Sequence, residues 1–171
     1  MAGAKALLGS KIHEERLVAL FILVQKFRVD PEGVGRFYID NISKVNSWDL
    51  VDLSAPKILG VYLEKRDRSI LYRLAMSDSV WDRRIAIIAT QHFIRRGDFA
   101  DTLKISETLL GDEHDLMHKA VGWMLREVGK RDQKVGEAFL AKNCKKMPRT
   151  MLRYAIERFP EEKRRGYMAP P

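Results

Sequence analysis

The sequence predicts an all-α chain folded as an α-solenoid of stacked helix pairs. Apolar residues recur at helical spacing almost throughout the 171 residues. Prolines and glycines fall between the periodic segments, and no stretch alternates as a strand does. Aligning the long helices brings the basic residues Arg16, Arg84, Lys119 and Arg153 into one column, with gaps of 68, 35 and 34 residues. The unit is therefore near 34 residues with one position skipped, the length of a helix-pair repeat. Equivalent positions of stacked repeats line one surface. In a right-handed superhelix this column would form a concave basic face able to track a phosphate backbone. The bland alternative is a set of ordinary solvated helix faces.

In chain order, the first strong helix covers residues 12–27, with Leu17, Leu20, Phe21 and Val24 as its apolar stripe. Asp30-Pro31 stops it and starts the next, because proline is tolerated in a first helical turn. That second helix runs to about residue 45, with Val34, Phe37, Tyr38 and Ile42 inward. The segment NSWDLVD (46–52) follows. Ser54-Ala55-Pro56 then reads as a cap with proline just inside a further helix. The charged KRDR (65–68) reads as a turn, and residues 69–76 as a short helix. Residues 79–96 form a long helix opened by Ser79 and Asp82, a variant capping box, with Trp81 in its buried stripe and Gly97 at its end. Further helices are expected at 99–110, 113–131, 133–142 and 149–159, with a short basic one after Pro160. The terminal MAPP is expected to fray.

Composition bounds the function. The length suffices for a single domain, residues 1–171, with a real core. A formal charge of +8 favours polyanionic partners, nucleic acid before an anionic membrane surface. The longest apolar cluster, residues 17–24, is far short of a membrane span, and the N-terminus lacks a signal-peptide pattern. The one cysteine, Cys144, excludes an intramolecular disulfide and fits a reducing cytoplasm. No phosphate-cradling glycine loop and no nucleophilic serine motif occur.

The chemistry points to NSWDLVD. Trp48 and Asp52 are four residues apart, which puts both on one face of a helix. An indole face attracts a cation, and a carboxylate can stabilise positive charge or orient a water. Taken alone, the pair reads more readily as a packing tryptophan and a solvated aspartate. His114 and His118, beside Asp112 and Glu113, have a spacing that could bind zinc, but no cysteine or third histidine lies nearby. They read as helix-start residues. No metal and no cofactor are expected.

Four segments, SWDLVD (47–52), VWDRRIAI (80–87), HKAVGWMLRE (118–127) and PRTMLRYAIERFPEEKR (148–164), together resemble the AlkD family of DNA alkylation-repair glycosylases, which are HEAT-like-repeat proteins. The similarity runs from about residue 7 to 167. The resemblance implies that Trp48 and Asp52 are the catalytic pair, Trp123 the second site aromatic and Arg84 a DNA contact. It implies as substrate double-stranded DNA carrying cationic N3- or N7-alkylated purines, excised without base flipping. A monomer is expected, cytoplasmic and nucleoid-associated when bound. Lys119, Arg126, Arg149 and Arg153 are further candidate DNA contacts, although Arg126 could instead brace neighbouring helices. Relative to the family, the chain reads as shortened by its first helices. That departure keeps a second hypothesis in view, a non-catalytic helical-repeat module that binds DNA structures or protein.

The chemistry fits these residues. An N7- or N3-alkylated purine is already a good leaving group, so no general acid is needed. As the bond breaks, charge moves to the sugar as an oxocarbenium ion, which a carboxylate stabilises. Each ring contact to cationic sugar or base contributes roughly 0.5–2 kcal/mol.

Overall fold

The computed structural model describes residues 1–169, and every regular element among them is helical. Helix α1 (Ala2–Leu8) lies on α2 (His13–Lys26), and α2 turns Ala19, Leu20 and Leu23 into the core. Phe21, expected inward, is 50% exposed, while Leu17 and Val24 pack at the edge. The run LVALFILV (17–24) is apolar on all sides, so periodicity alone does not choose its buried face.

Asp30 caps α3 (Pro31–Asp40), accepting from the Gly33 N–H at 2.9 Å, with Pro31 in the first turn. The helix ends at Asp40, short of residue 45, and a 3-10 turn (Ile42–Lys44) follows. Helix α4 (Trp48–Ser54) then runs directly into a wide turn (Pro56–Gly60). Ser54 is therefore no N-cap: it is buried, donates to the Leu50 carbonyl at 2.6 Å and bonds the Tyr38 hydroxyl at 2.9 Å. Proline has no N–H to return to the carbonyl four residues back, which is that of Asp52, and its ring crowds it. The chain responds by widening, and the Gly60 N–H reaches back to the Ala55 carbonyl at 2.9 Å.

Helix α5 (Ser69–Ala75) leads to α6 (Val80–Ala89) and α7 (Gln91–Arg95). One helix was expected over 79–96, where α6 and α7 stand. It breaks at Thr90, whose hydroxyl donates to the Ile87 carbonyl at 2.7 Å. Ser79 does cap α6, but the Asp82 carboxylate takes the Ser77 hydroxyl rather than the Ser79 N–H, so only half of the expected box forms. Trp81 is half-buried against the core. Gly97, at φ 79°, turns the chain out of α7 in a conformation that favours glycine. The remainder is α8 (Ala100–Thr108), α9 (Asp115–Arg131), α10 (Gln133–Asn143), a 3-10 turn (Cys144–Lys146), α11 (Arg149–Ala155) and α12 (Glu161–Met168). Of the expected frayed tail, Met168 is helical, and Pro170 and Pro171 lie outside the described residues.

The helices pack in sequence. In one row, α2 touches α4, α4 touches α6, α6 touches α9, and α9 touches α11. Helix α6 is central, with Ile85 to Ala89 buried without exception. Charged ties between successive units recur at 29–34 residues: Arg66 to Glu32, Arg68 to Asp98 and Asp101, Arg83 to Asp112, and Arg84 to Asp52. No helix among the described residues is long and apolar enough to cross a membrane.

Candidate active site

The row α4–α6–α9–α11 positions the candidate site. Trp48 opens α4, 58% exposed, its ring free of the core. Four residues on, Asp52 faces α6. There Arg84, 5% exposed, meets it with a fork: Nε donates to Oδ1 at 2.9 Å and Nη2 to Oδ2 at 2.8 Å. The remaining Arg84 nitrogen, Nη1, donates to the Leu116 carbonyl at 2.8 Å, tying the pair to the start of α9. Every nitrogen of Arg84 is thus engaged inside the fold. Arg84, expected to hold a flanking phosphate, holds the Asp52 carboxylate in this structure, which contains no DNA.

Helix α9 supplies one wall. Leu116, Lys119, Trp123 and Arg126 recur at helical spacing, and all four line a cavity of about 290 Å³ together with Trp48, Arg84 and Tyr154. Asp52 is not on the wall itself; it reaches the cavity through Arg84. Trp48, Arg84 and Trp123 come together from segments far apart in the chain, and Asp52 stands behind them. Lys119 pairs with Asp115 at 2.6 Å, and that hydrogen-bonded carboxylate raises its ammonium above the ordinary lysine value.

The other basic candidates divide. Arg153 is exposed and forms no ion pair among the described residues. Arg126 lines the cavity but turns its guanidinium to Glu157 beyond α11 and to Glu127, the bracing alternative. Arg149 is elsewhere. It donates to the Met168 carbonyl at 2.7 Å and lines a separate cavity with Cys144 and Tyr167. His114 accepts from the Leu116 N–H and His118 bonds the Asp112 carbonyl, so both serve the start of α9. No metal-sized group of three or more ligating side chains occurs among the described residues.

Tyr154 was not singled out from the sequence. On α11 and its C-cap the buried stripe is Met151, Leu152, Ala155 and Ile156. An aromatic residue off that stripe was the available signal.

The first turn of α4 is anchored to α2. His13 Nε2 lies 2.6 Å from Asp49 Oδ2, the Ser47 hydroxyl donates to Asp49 Oδ1, and Arg16 donates to the Asn46 side chain at 2.8 Å. Arg16 of the basic column is therefore tied to the segment that leads into Trp48. Burial works to raise the Asp49 carboxyl, but hydrogen bonds from Ser47, His13 and the Leu50 N–H outweigh it and hold the group below its ordinary value. A carboxyl depressed in the folded chain stabilises the fold above its unfolded value, and that contribution is lost as pH falls through the folded one. Wild type should exceed Asp49→Asn in stability near neutral pH, and the gap should close as pH drops below 3.8. Urea denaturation at about pH 7 and about pH 3 measures this.

These features define an all-helical protein with an aromatic, basic cavity and a carboxylate held behind it. The model of the DNA alkylation repair enzyme family matches residues 1–159, and the chain belongs to that family. No curated protein matches the chain.

Proposed function

We propose that the chain is a monofunctional DNA glycosylase that hydrolyses the N-glycosidic bond of cationic N3- and N7-alkylated purines in duplex DNA. The observation that carries this is the convergence of Trp48 and Trp123 on one cavity, with the Asp52 carboxylate fixed behind it by Arg84. Two exposed or half-buried ring faces suit a cationic base and sugar. A carboxylate has about four lone-pair directions. Arg84 uses one on each oxygen, which leaves others to meet the oxocarbenium ion or orient the attacking water. Arg84 acts first as the positioning residue for Asp52, and contact with a phosphate falls to the more exposed Lys119 and Arg153. Selectivity comes from the charge of the lesion, so the base need not leave the helix. Successive packing of α2, α4, α6, α9 and α11, with ties near 30 residues apart, supports a HEAT-like superhelix whose concave face carries the site.

The test is release of 7-methylguanine from a methylated duplex. Wild type should release it in single-turnover conditions, and duplex affinity should fall steeply with salt as neutralised phosphates release counterions. Binding without release would leave the non-catalytic repeat module. Salt-independent binding would count against a phosphate-tracking face.

A further inference from the structure

Three of the five tyrosine hydroxyls are committed within the fold: Tyr38 to Ser54 at 2.9 Å, Tyr62 to Glu32 at 3.1 Å and Tyr72 to Asp101 at 2.5 Å. A tyrosine hydroxyl removed from water normally finds such a partner. Tyr154 differs. It is half-buried on the wall of the cavity that Trp48 and Trp123 line, and its hydroxyl makes no hydrogen bond to any described residue.

Its position is nonetheless fixed. Gly122, directly before Trp123, sits where an added Cβ would lie 2.5 Å from the Met151 carbonyl and 2.6 Å from the Tyr154 Cβ. The missing side chain lets α11 close onto α9 at this point and seats Tyr154 beside the second site aromatic. On either side of it, Met151, Leu152 and Ala155 of α11 and Ile156 just beyond it are buried and hold the helix against the core. The phenol is presented to the cavity by a rigid contact rather than by a loop.

Its neighbours are cationic. Lys119 lines the same cavity as Tyr154. Asp115 raises its ammonium above the ordinary value and the Arg153 guanidinium acts against that, so Arg153 is within electrostatic reach of Lys119. An ammonium and an uncommitted phenol on one cavity wall, with the exposed Arg153 guanidinium next to Tyr154 in sequence, match a phosphodiester. The cations supply charge, and the hydroxyl supplies a directed donor.

We propose that Tyr154 contacts the DNA, its hydroxyl donating to a phosphate oxygen of the strand that Lys119 and Arg153 neutralise, and so sets the register in which Trp48 and Trp123 meet the damaged nucleotide. This rests on the glycosylase reading only in taking duplex DNA as the ligand.

An uncharged donor and a cation are distinguishable by salt. Each neutralised phosphate adds about 0.9 to the slope of log affinity against log salt. Lys119→Gln should therefore weaken binding and flatten that slope by about 0.9. Tyr154→Phe should weaken binding roughly tenfold, the scale of one hydrogen bond to a charged group, at every salt concentration and with the slope unchanged. Tyr167→Phe, on α12, is the control and should bind as wild type does. The measurement is fluorescence anisotropy of a methylated duplex across a salt series, with circular dichroism to show each variant folded.

Tyr154→Phe binding indistinguishably from wild type overturns the contact, and so does a slope change as large as that of Lys119→Gln. A wild type that binds, is weakened by Tyr154→Phe and releases no methylated base keeps the contact and removes the glycosylase reading. One that releases base while Tyr154→Phe binds normally removes the contact alone. A wild type that fails to bind duplex at low salt removes both.

Discussion

Asp52→Asn is expected to slow release of 7-methylguanine more than tenfold, since a factor of ten needs only about 1.4 kcal/mol of transition-state stabilisation. The amide keeps the size of the carboxylate and loses the charge on which, in the glycosylase reading, the oxocarbenium ion draws. A near-isosteric change ordinarily costs the fold little. Here a loss of stability is expected, because both Asp52 oxygens accept from Arg84, which is 5% exposed. An amide offers one oxygen and turns an NH2 group toward the other donor, leaving a buried guanidinium without its counter-charge. Thermal stability should therefore fall together with activity. The two effects separate if single-turnover release is measured at saturating DNA, at a temperature where circular dichroism shows the variant folded. Equal release by wild type and variant under those conditions would mean that the Asp52 charge serves the fold alone.

That coupling was invisible in the sequence, although all of its members were named. The spacing of Trp48 and Asp52 was enough to put them on one helical face, and the segments around Arg84 and Trp123 were enough to attach them to a family. What spacing could not convey was which groups meet across helices. Arg84 and Asp52 are 32 residues apart, and nothing local tells a guanidinium aimed at phosphate from one folded onto a carboxylate. The same limit applies to Arg126, which turns to Glu157, and to Arg149, which turns to Met168. It also explains Tyr154, whose place depends on a close approach at Gly122 that no pattern within α11 records. Local signals succeeded where the partners were local: Asp30-Pro31 starts α3 and Gly97 ends α7, as expected. They failed at Ser54-Ala55-Pro56, where tertiary packing of Ser54 against Tyr38 carries the helix through the proline.

Arg84→Met should produce the largest loss of stability, about 3–5 kcal/mol, the scale for removing one partner from a buried ion pair. Against a total of about 5–15 kcal/mol for an ordinary domain, this is a large share. Methionine fills much of the same space, so the cost is mainly that of Asp52 left without its fork, plus the lost tie from Nη1 to the Leu116 carbonyl. The double variant Arg84→Met with Asp52→Leu removes both charges and should recover most of the loss, because an apolar pair of similar volume replaces a buried ion pair at little or no cost. Urea denaturation of the wild type, the two single variants and the double closes the thermodynamic cycle. Additive losses would show that the pair is not coupled and that Arg84 acts through Leu116 alone. Recovered stability without recovered base release would separate the two tasks of this pair: holding α4, α6 and α9 together, and keeping one carboxylate oriented behind the aromatic cavity.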